Sequence, residues 1–310
     1  MASTDIEILD HVASAEKLNK IADRRALNRR HFLAALGMTG AAAGAGLMSG
    51  CSQSAVVPAN TSLASSQTDI LNFALNFKYL EATFYSYVVT GKDLTGTAVT
   101  NTGAITGTPA SQPTFASQQI TDLLNEILFD EKSHLNSLIS LLGSSAVYRP
   151  AINLAAYAAI TSTNALSIAR LIEDVGATAL ATVIDGLDTT SATFMAQMLG
   201  AESFHAGALR LISIQNPSIA AYAKADSLDV APFDPGTAAL AAVGPVANGG
   251  FFATAGSLSF TLADPAGAAF ARSTSQVLAI GYGTGGTIAA SGTTSGGFFP
   301  AGVNGSINKV

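Results

Sequence analysis

A chain of 310 residues can bury one sizeable apolar core or two smaller ones, and with 48% hydrophobic and only 12% charged residues it lacks the composition of a disordered protein. The net charge of −6 argues against nucleic-acid binding, the more so because Lys17, Lys20, Arg24, Arg25, Arg29 and Arg30 crowd the start and leave the remainder more acidic. The single cysteine, Cys51, excludes an intramolecular disulfide and any thiolate metal cluster.

The first fifty residues read as an export signal. Asn28-Arg29-Arg30-His31-Phe32-Leu33 precedes an apolar run, rich in Ala and Gly, from Ala34 to Gly50. A positive region, a modestly hydrophobic region and then small residues are the layout such signals share. The arginine pair followed by x-Phe-Leu resembles the twin-arginine signal, which directs already folded proteins across the bacterial inner membrane. Met48-Ser49-Gly50-Cys51 resembles a lipoprotein cleavage box, with Met48 where Leu is usual, and makes Cys51 a candidate for lipidation. The alternatives are a buried helix hairpin or an uncut anchor, although the run is barely long enough to span a bilayer. The expected location is the periplasm or the cell envelope, with membrane contact only through the signal or a lipid. Residues 51–66, small and polar, read as a tether.

Four helices are predicted over residues 67–216. The first runs from about Thr68 to Thr90, with Ser66 or Thr68 as its cap and Gly91 as its stop. Its apolar stripe is Ile70, Phe73, Ala74, Phe77, Phe84 and Val88, and Glu81 sits in the middle of it. The Thr- and Gly-rich loop from Gly91 to Ala116 is longer than bundle loops usually are and reads as a surface insertion or a lid. The second helix spans about Ser117 to Leu142, with Glu131 and His134 in line with Ile120, Leu124, Ile127, Leu138 and Leu141. The third covers about Thr163 to Ile184, with Glu173 in line with Leu166, Ala169, Gly176, Ala177 and Leu180. The fourth covers about Ser191 to Ile214, where Glu202 and His205 share a face with Met195, Met198, Leu209 and Ile212.

From Pro217 the composition shifts to Gly, Ala, Thr and Pro, and one short helix is predicted at Ser275 to Ile280. Residues 217–310 read as an irregular extension that packs on the bundle, with Phe251, Phe252, Phe298 and Phe299 as anchors. Gly281-Tyr282-Gly283-Thr284-Gly285-Gly286 lacks the following helix and acidic partner of a phosphate-binding loop.

The acids on apolar faces form the order Glu, Glu-x-x-His, Glu, Glu-x-x-His. Residues three apart on a helix lie side by side, so each Glu-x-x-His pair aims two donors at one point. After Cys51 the chain has two histidines and five glutamates; both histidines and four of the glutamates fall in the pattern, and Glu126 is left on the solvated side. Four buried carboxylates cannot all stay charged and unpaired, since each would cost roughly several kcal/mol. Lys132 and Arg170 are near in sequence but off the stripes. Cations resolve the repulsion, and the alternative is protonation with raised pKa values. Oxygen-rich ligation with one imidazole per ion suits iron first and manganese second.

The same order is the ligand layout of di-metal carboxylate bundles, and the chain resembles the ferritin-like superfamily. More narrowly, it resembles the secreted branch that includes desiccation-related proteins and bacterial proteins with twin-arginine signals. The resemblance is carried by Asp69-Ile70-Leu71-Asn72-Phe73-Ala74-Leu75, Tyr79-Leu80-Glu81-Ala82, Phe84-Tyr85, Leu171-Ile172-Glu173-Asp174-Val175-Gly176 and Ala201-Glu202-Ser203-Phe204-His205-Ala206. In the tail it is carried by Gly296-Gly297-Phe298-Phe299-Pro300 and Val303-Asn304-Gly305.

The resemblance implies an all-α fold, a ferritin-like four-helix bundle with an irregular Gly/Ala-rich C-terminal extension. It also implies that Glu81, Glu131, His134, Glu173, Glu202 and His205 fill all six ligand positions for two divalent metal ions. The expected partners are metal ions and oxygen or peroxide; an oligomer is open, and the extension would obstruct a ferritin cage. Tyr79, Tyr85 and Tyr87 are candidates to donate an electron or a hydrogen bond, or are simply packed. Three functions follow: a ferroxidase-like or peroxide-consuming redox protein, a non-enzymatic stress or desiccation-related protein with a structural metal, and a metal-free scaffold.

Overall fold

The computed structural model describes residues 65–97, 102–215, 271–285 and 287–310. The expected export signal and residues 51–64 of the expected tether, Cys51 included, lie outside the described residues, as do Phe251 and Phe252, while the last two tether residues, Ser65 and Ser66, are helical.

Four long helices are present: α1 Ser65–Thr90, α2 Gln118–Leu142, α3 Ala165–Val183 and α4 Thr189–Gln215. Their ends follow local chemistry. The Ser117 side chain accepts from the Gln119 N–H at 3.2 Å and caps α2. The Asp188 carboxylate accepts from the N–H groups of Thr190 and Ser191 at 3.0 and 2.9 Å, at the start of α4. Gly91 and Gly143, at φ 69° and 55°, close α1 and α2 in the left-handed region that costs other residues most. Ser66 and Thr68, expected as caps, are inside the first turn of α1, which begins at Ser65.

α1 packs on α2 and α3 on α4, while α1 meets α3 and α2 meets α4 across the middle. This is the expected all-α bundle. α1 differs from an ordinary amphipathic helix because every residue from Leu71 to Ser86 is buried. Its polar side is covered by backbone. Asn72 donates to the Ser145 carbonyl and accepts from the Val147 N–H, both at 2.9 Å. Asn76 exchanges two bonds with the Asn304 backbone, at 2.8 and 2.9 Å. Satisfying these amides is what makes full burial of the helix tolerable.

The described end of the chain supplies part of that cover. A short helix, α5 Thr274–Gly281, opens with a capping box between Ser273 and Gln276 and packs on α3. After α5 the chain runs through irregular turns, and Phe298 and Phe299 are buried. The Phe299 ring stands edge-on to Phe77 at 5.3 Å and to Tyr282 at 6.4 Å.

The loop after α1, read as a surface insertion or a lid, is attached at described residues to the chain that follows α2. Within it β1 Ile105–Thr106 pairs in parallel with β2 Ile152–Asn153, in the register Ile105 to Ile152. The Arg149 guanidinium holds Asp93 through two bonds of 2.6 and 2.8 Å. Among the described residues no helix is long and apolar enough to cross a membrane.

Candidate metal centre

The four long helices each deliver acids to one buried place. α1 contributes Glu81, α2 Glu131 and His134, α3 Glu173, and α4 Glu202 and His205. The four glutamates are 0–1% exposed. His134 Nδ1 lies 3.2 Å from Glu131 Oε1 and 3.1 Å from Glu202 Oε1. His205 Nδ1 lies 3.2 Å from Glu173 Oε2 and 3.5 Å from Glu131 Oε1. The two imidazole rings are 6.3 Å apart. One ligand atom from each of Glu131, Glu173, Glu202 and His205 falls within 4.8 Å of the others. Glu81 and His134 stand outside that tight group, though His134 touches two of its members and Glu81 reaches it through a lysine.

That lysine was not anticipated. Lys78, three residues before Glu81 and so on the same side of α1, sends its ammonium into the cluster. It pairs with Glu81 Oε2 and Glu202 Oε1, and with Glu131 Oε2 at 3.2 Å. Lys132 and Arg170 were read as off the stripes, and Arg170 is engaged elsewhere. Arg170 pairs with Asp174 at 2.7 Å, in a second buried charge group on α3 and α4 that also holds Arg210. A lysine standing in the run Phe73–Leu80 was the available signal.

Asp130 was also missed. Its Oδ2 lies 3.2 Å from His205 Nε2, so both nitrogens of that ring face carboxylates. Gly176, read from the sequence only as a stripe position, has a packing role. A Cβ there would collide with Glu81 Oε1 and come within 3.0 Å of Glu202 Oε2, so the absence of a side chain makes room for these acids. Glu126, expected in solvent, is half-buried.

Burial and crowding shape the titration of the group. Burial, then repulsion from Glu202, pushes Glu173 up to about 8 against the pull of His205. Burial likewise raises Glu81 well above the usual carboxylate range despite Lys78. For Glu131 burial is outweighed by Lys78 and His134, and its value falls well below that range. Burial would lower His134, but Glu131 and Glu202 outweigh it and push it up to about 9. Burial would also depress Lys78, and the surrounding glutamates override it, so the amine stays charged.

The three tyrosines separate clearly. The Tyr85 hydroxyl is wholly buried, and burial with the charge of Glu173 raises it well above the ordinary phenol. Tyr79 donates to the Val147 carbonyl at 3.1 Å, and Tyr87 is half-buried, with Asp93 and Arg149 as its charged neighbours.

The donor set fits a divalent ion. Glu173 Oε1 and Glu202 Oε2 are buried without a hydrogen-bond partner, a costly condition that a cation between them would relieve. Three carboxylates and one imidazole within a few ångströms make an oxygen-rich site that could hold a divalent ion. A helix bundle with inward carboxylates and Glu-x-x-His pairs defines the class of ferritin-like carboxylate proteins. Residues 66–215 match the family model described as a ferritin-like domain. Among curated proteins no sequence matches the chain.

Proposed function

We propose that this is an exported ferritin-like metal-carboxylate protein that carries out redox chemistry on ferrous iron, oxygen or peroxide in the cell envelope. The observation that carries the reading is the group Glu131, Glu173, Glu202 and His205, buried between four helices with two carboxylate oxygens left unpartnered. Iron is the first candidate and manganese the second, and the bound ion would supply the electron-transfer chemistry. The chain's own part is to position. Asp130 fixes the ring of His205, Gly176 leaves space for Glu81 and Glu202, and the buried Tyr85 hydroxyl lies beside Glu173.

Support for export is the order Arg29-Arg30-x-Phe32-Leu33, an apolar run, then Cys51. Replacing both arginines with lysine and fractionating cells tests it; the reading expects the precursor to accumulate inside, and unchanged export would contradict it.

Lys78 favours a second reading. With one internal cation among Glu81, Glu131 and Glu202, and His205 beside the remaining Glu173, much of the charge has a partner within the chain. That suits a non-enzymatic stress or desiccation-related protein in which metal staples the helices. Mixing an anaerobic, ferrous-loaded sample with oxygen or peroxide in a stopped-flow spectrometer separates the two. The redox reading expects a rapid absorbance change with turnover, lost in Glu131→Ala and His205→Ala. A loaded protein that gains thermal stability yet stays spectroscopically silent would assign the second.

A further inference from the structure

We propose that Lys78 is a resident cation standing in for one metal ion, so that the bundle takes a single divalent ion on its Glu173 and His205 side. The inference rests on the metal reading above and concerns the number and place of the ions.

The ligand pattern has two halves that share Glu131 and Glu202. In the first, Glu81, Glu131 and His134 would hold an ion. Here the Lys78 ammonium sits instead, paired with Glu81 Oε2, Glu131 Oε2 and Glu202 Oε1. An ammonium has three N–H donors and no lone pair; here it donates to Glu131 Oε2 and Glu202 Oε1, with Glu81 Oε2 as an ion-pair neighbour. It cannot ligate a metal, and it repels one placed beside it.

In the second half the tight group Glu131, Glu173, Glu202 and His205 stays together. Its unpartnered oxygens, Glu173 Oε1 and Glu202 Oε2, are not the atoms that Lys78 contacts. The two carboxylates shared between the halves are divided by atom. Glu202 gives Oε1 to the ammonium and keeps Oε2 free, while Glu131 gives Oε2 and turns Oε1 toward both histidines.

Lys78 also has nowhere else to go. It is 1% exposed, on a helix buried on every side from Leu71 to Ser86. Moving the ammonium to water would mean forcing a charged group out through a close-packed core. One divalent ion and the ammonium leave the four carboxylates one charge short of balance, whereas two ions and the ammonium exceed it.

Manganous ion is the probe. Chelator-treated protein is saturated with Mn(II), desalted, and examined by elemental analysis and electron paramagnetic resonance. The wild type should retain one ion per chain with the spectrum of an isolated Mn(II). Lys78→Met, an unbranched side chain one atom shorter and without the charge, should retain two ions and show the spectrum of an exchange-coupled pair. Lys78→Gln serves as the second variant should the first fail to fold, as judged by circular dichroism. A wild type holding two coupled ions would overturn the inference and leave the metal reading standing. A folded wild type holding none would overturn both. One ion in the wild type and still one in the folded variants would also overturn it, because the lysine would then not be what excludes the second.

Discussion

His205 is held at both ring nitrogens, with Nδ1 toward Glu173 and Glu131 and Nε2 3.2 Å from Asp130 Oδ2. A carboxylate behind a metal-ligating imidazole fixes its orientation and raises its basicity. Asp130→Asn should therefore weaken metal affinity by about 10- to 100-fold while leaving the fold intact, as read by competition with a chelator beside circular dichroism. The placement of the six acids and imidazoles was legible at this scale, since a charged residue on an apolar stripe has few reasons to be there. Asp130 was not legible, because it precedes Glu131 by one residue and so points away from the stripe; only the approach of α4 brings His205 to it. Lys78 was missed for a different reason: the cations weighed from sequence, Lys132 and Arg170, lie on α2 and α3, whereas the helical spacing Lys78-x-x-Glu81 already placed one on α1.

At the scale of elements, the helices of the bundle could be read from periodicity to within three residues, and the errors are informative. α1 begins at Ser65 rather than at Thr68, so the serine and threonine expected as its caps are helical. The loop after α1 looked like an insertion because composition alone does not reveal a strand partner far along the chain, Ile152 for Ile105. Its anchor is the parallel β1–β2 pair together with the bond between Asp93 and Arg149. Burial alone would raise the Asp93 carboxyl, but Arg149 outweighs it and holds the value below the usual range. A depressed folded value means that this contribution is in force above the ordinary aspartate value of about 4. It is lost as pH falls through the lower folded value. Because Asp93 is 43% exposed, solvent screening keeps the effect small. Asp93→Asn should cost about 1 kcal/mol in urea denaturation at pH 7, with the difference closing as the pH falls through the lowered folded value. An unchanged gap at low pH would show that the lost stability was not ionic.

Across the described domain, the end of the chain is part of the core. Phe298 and Phe299 were legible as anchors because paired aromatics in a Gly-rich stretch have few uses in solvent. Their seat against Phe77 and Tyr282 was not legible, since α1 gives no sign in sequence that both its faces are covered. Phe299→Ala should destabilise the domain by about 3–5 kcal/mol, measured as a shift in the denaturation midpoint, without altering the ligand residues. Burying α1 on every side gives the carboxylates a setting in which water cannot answer their charge, and this is the physical ground for expecting a metal. The most direct test is elemental analysis of folded protein recovered without added metal and again after incubation with ferrous iron and desalting. The account predicts retained iron or manganese in the parent and none in Glu131→Ala or His205→Ala. A helical, well-folded parent that carries no transition metal and takes none up would contradict it.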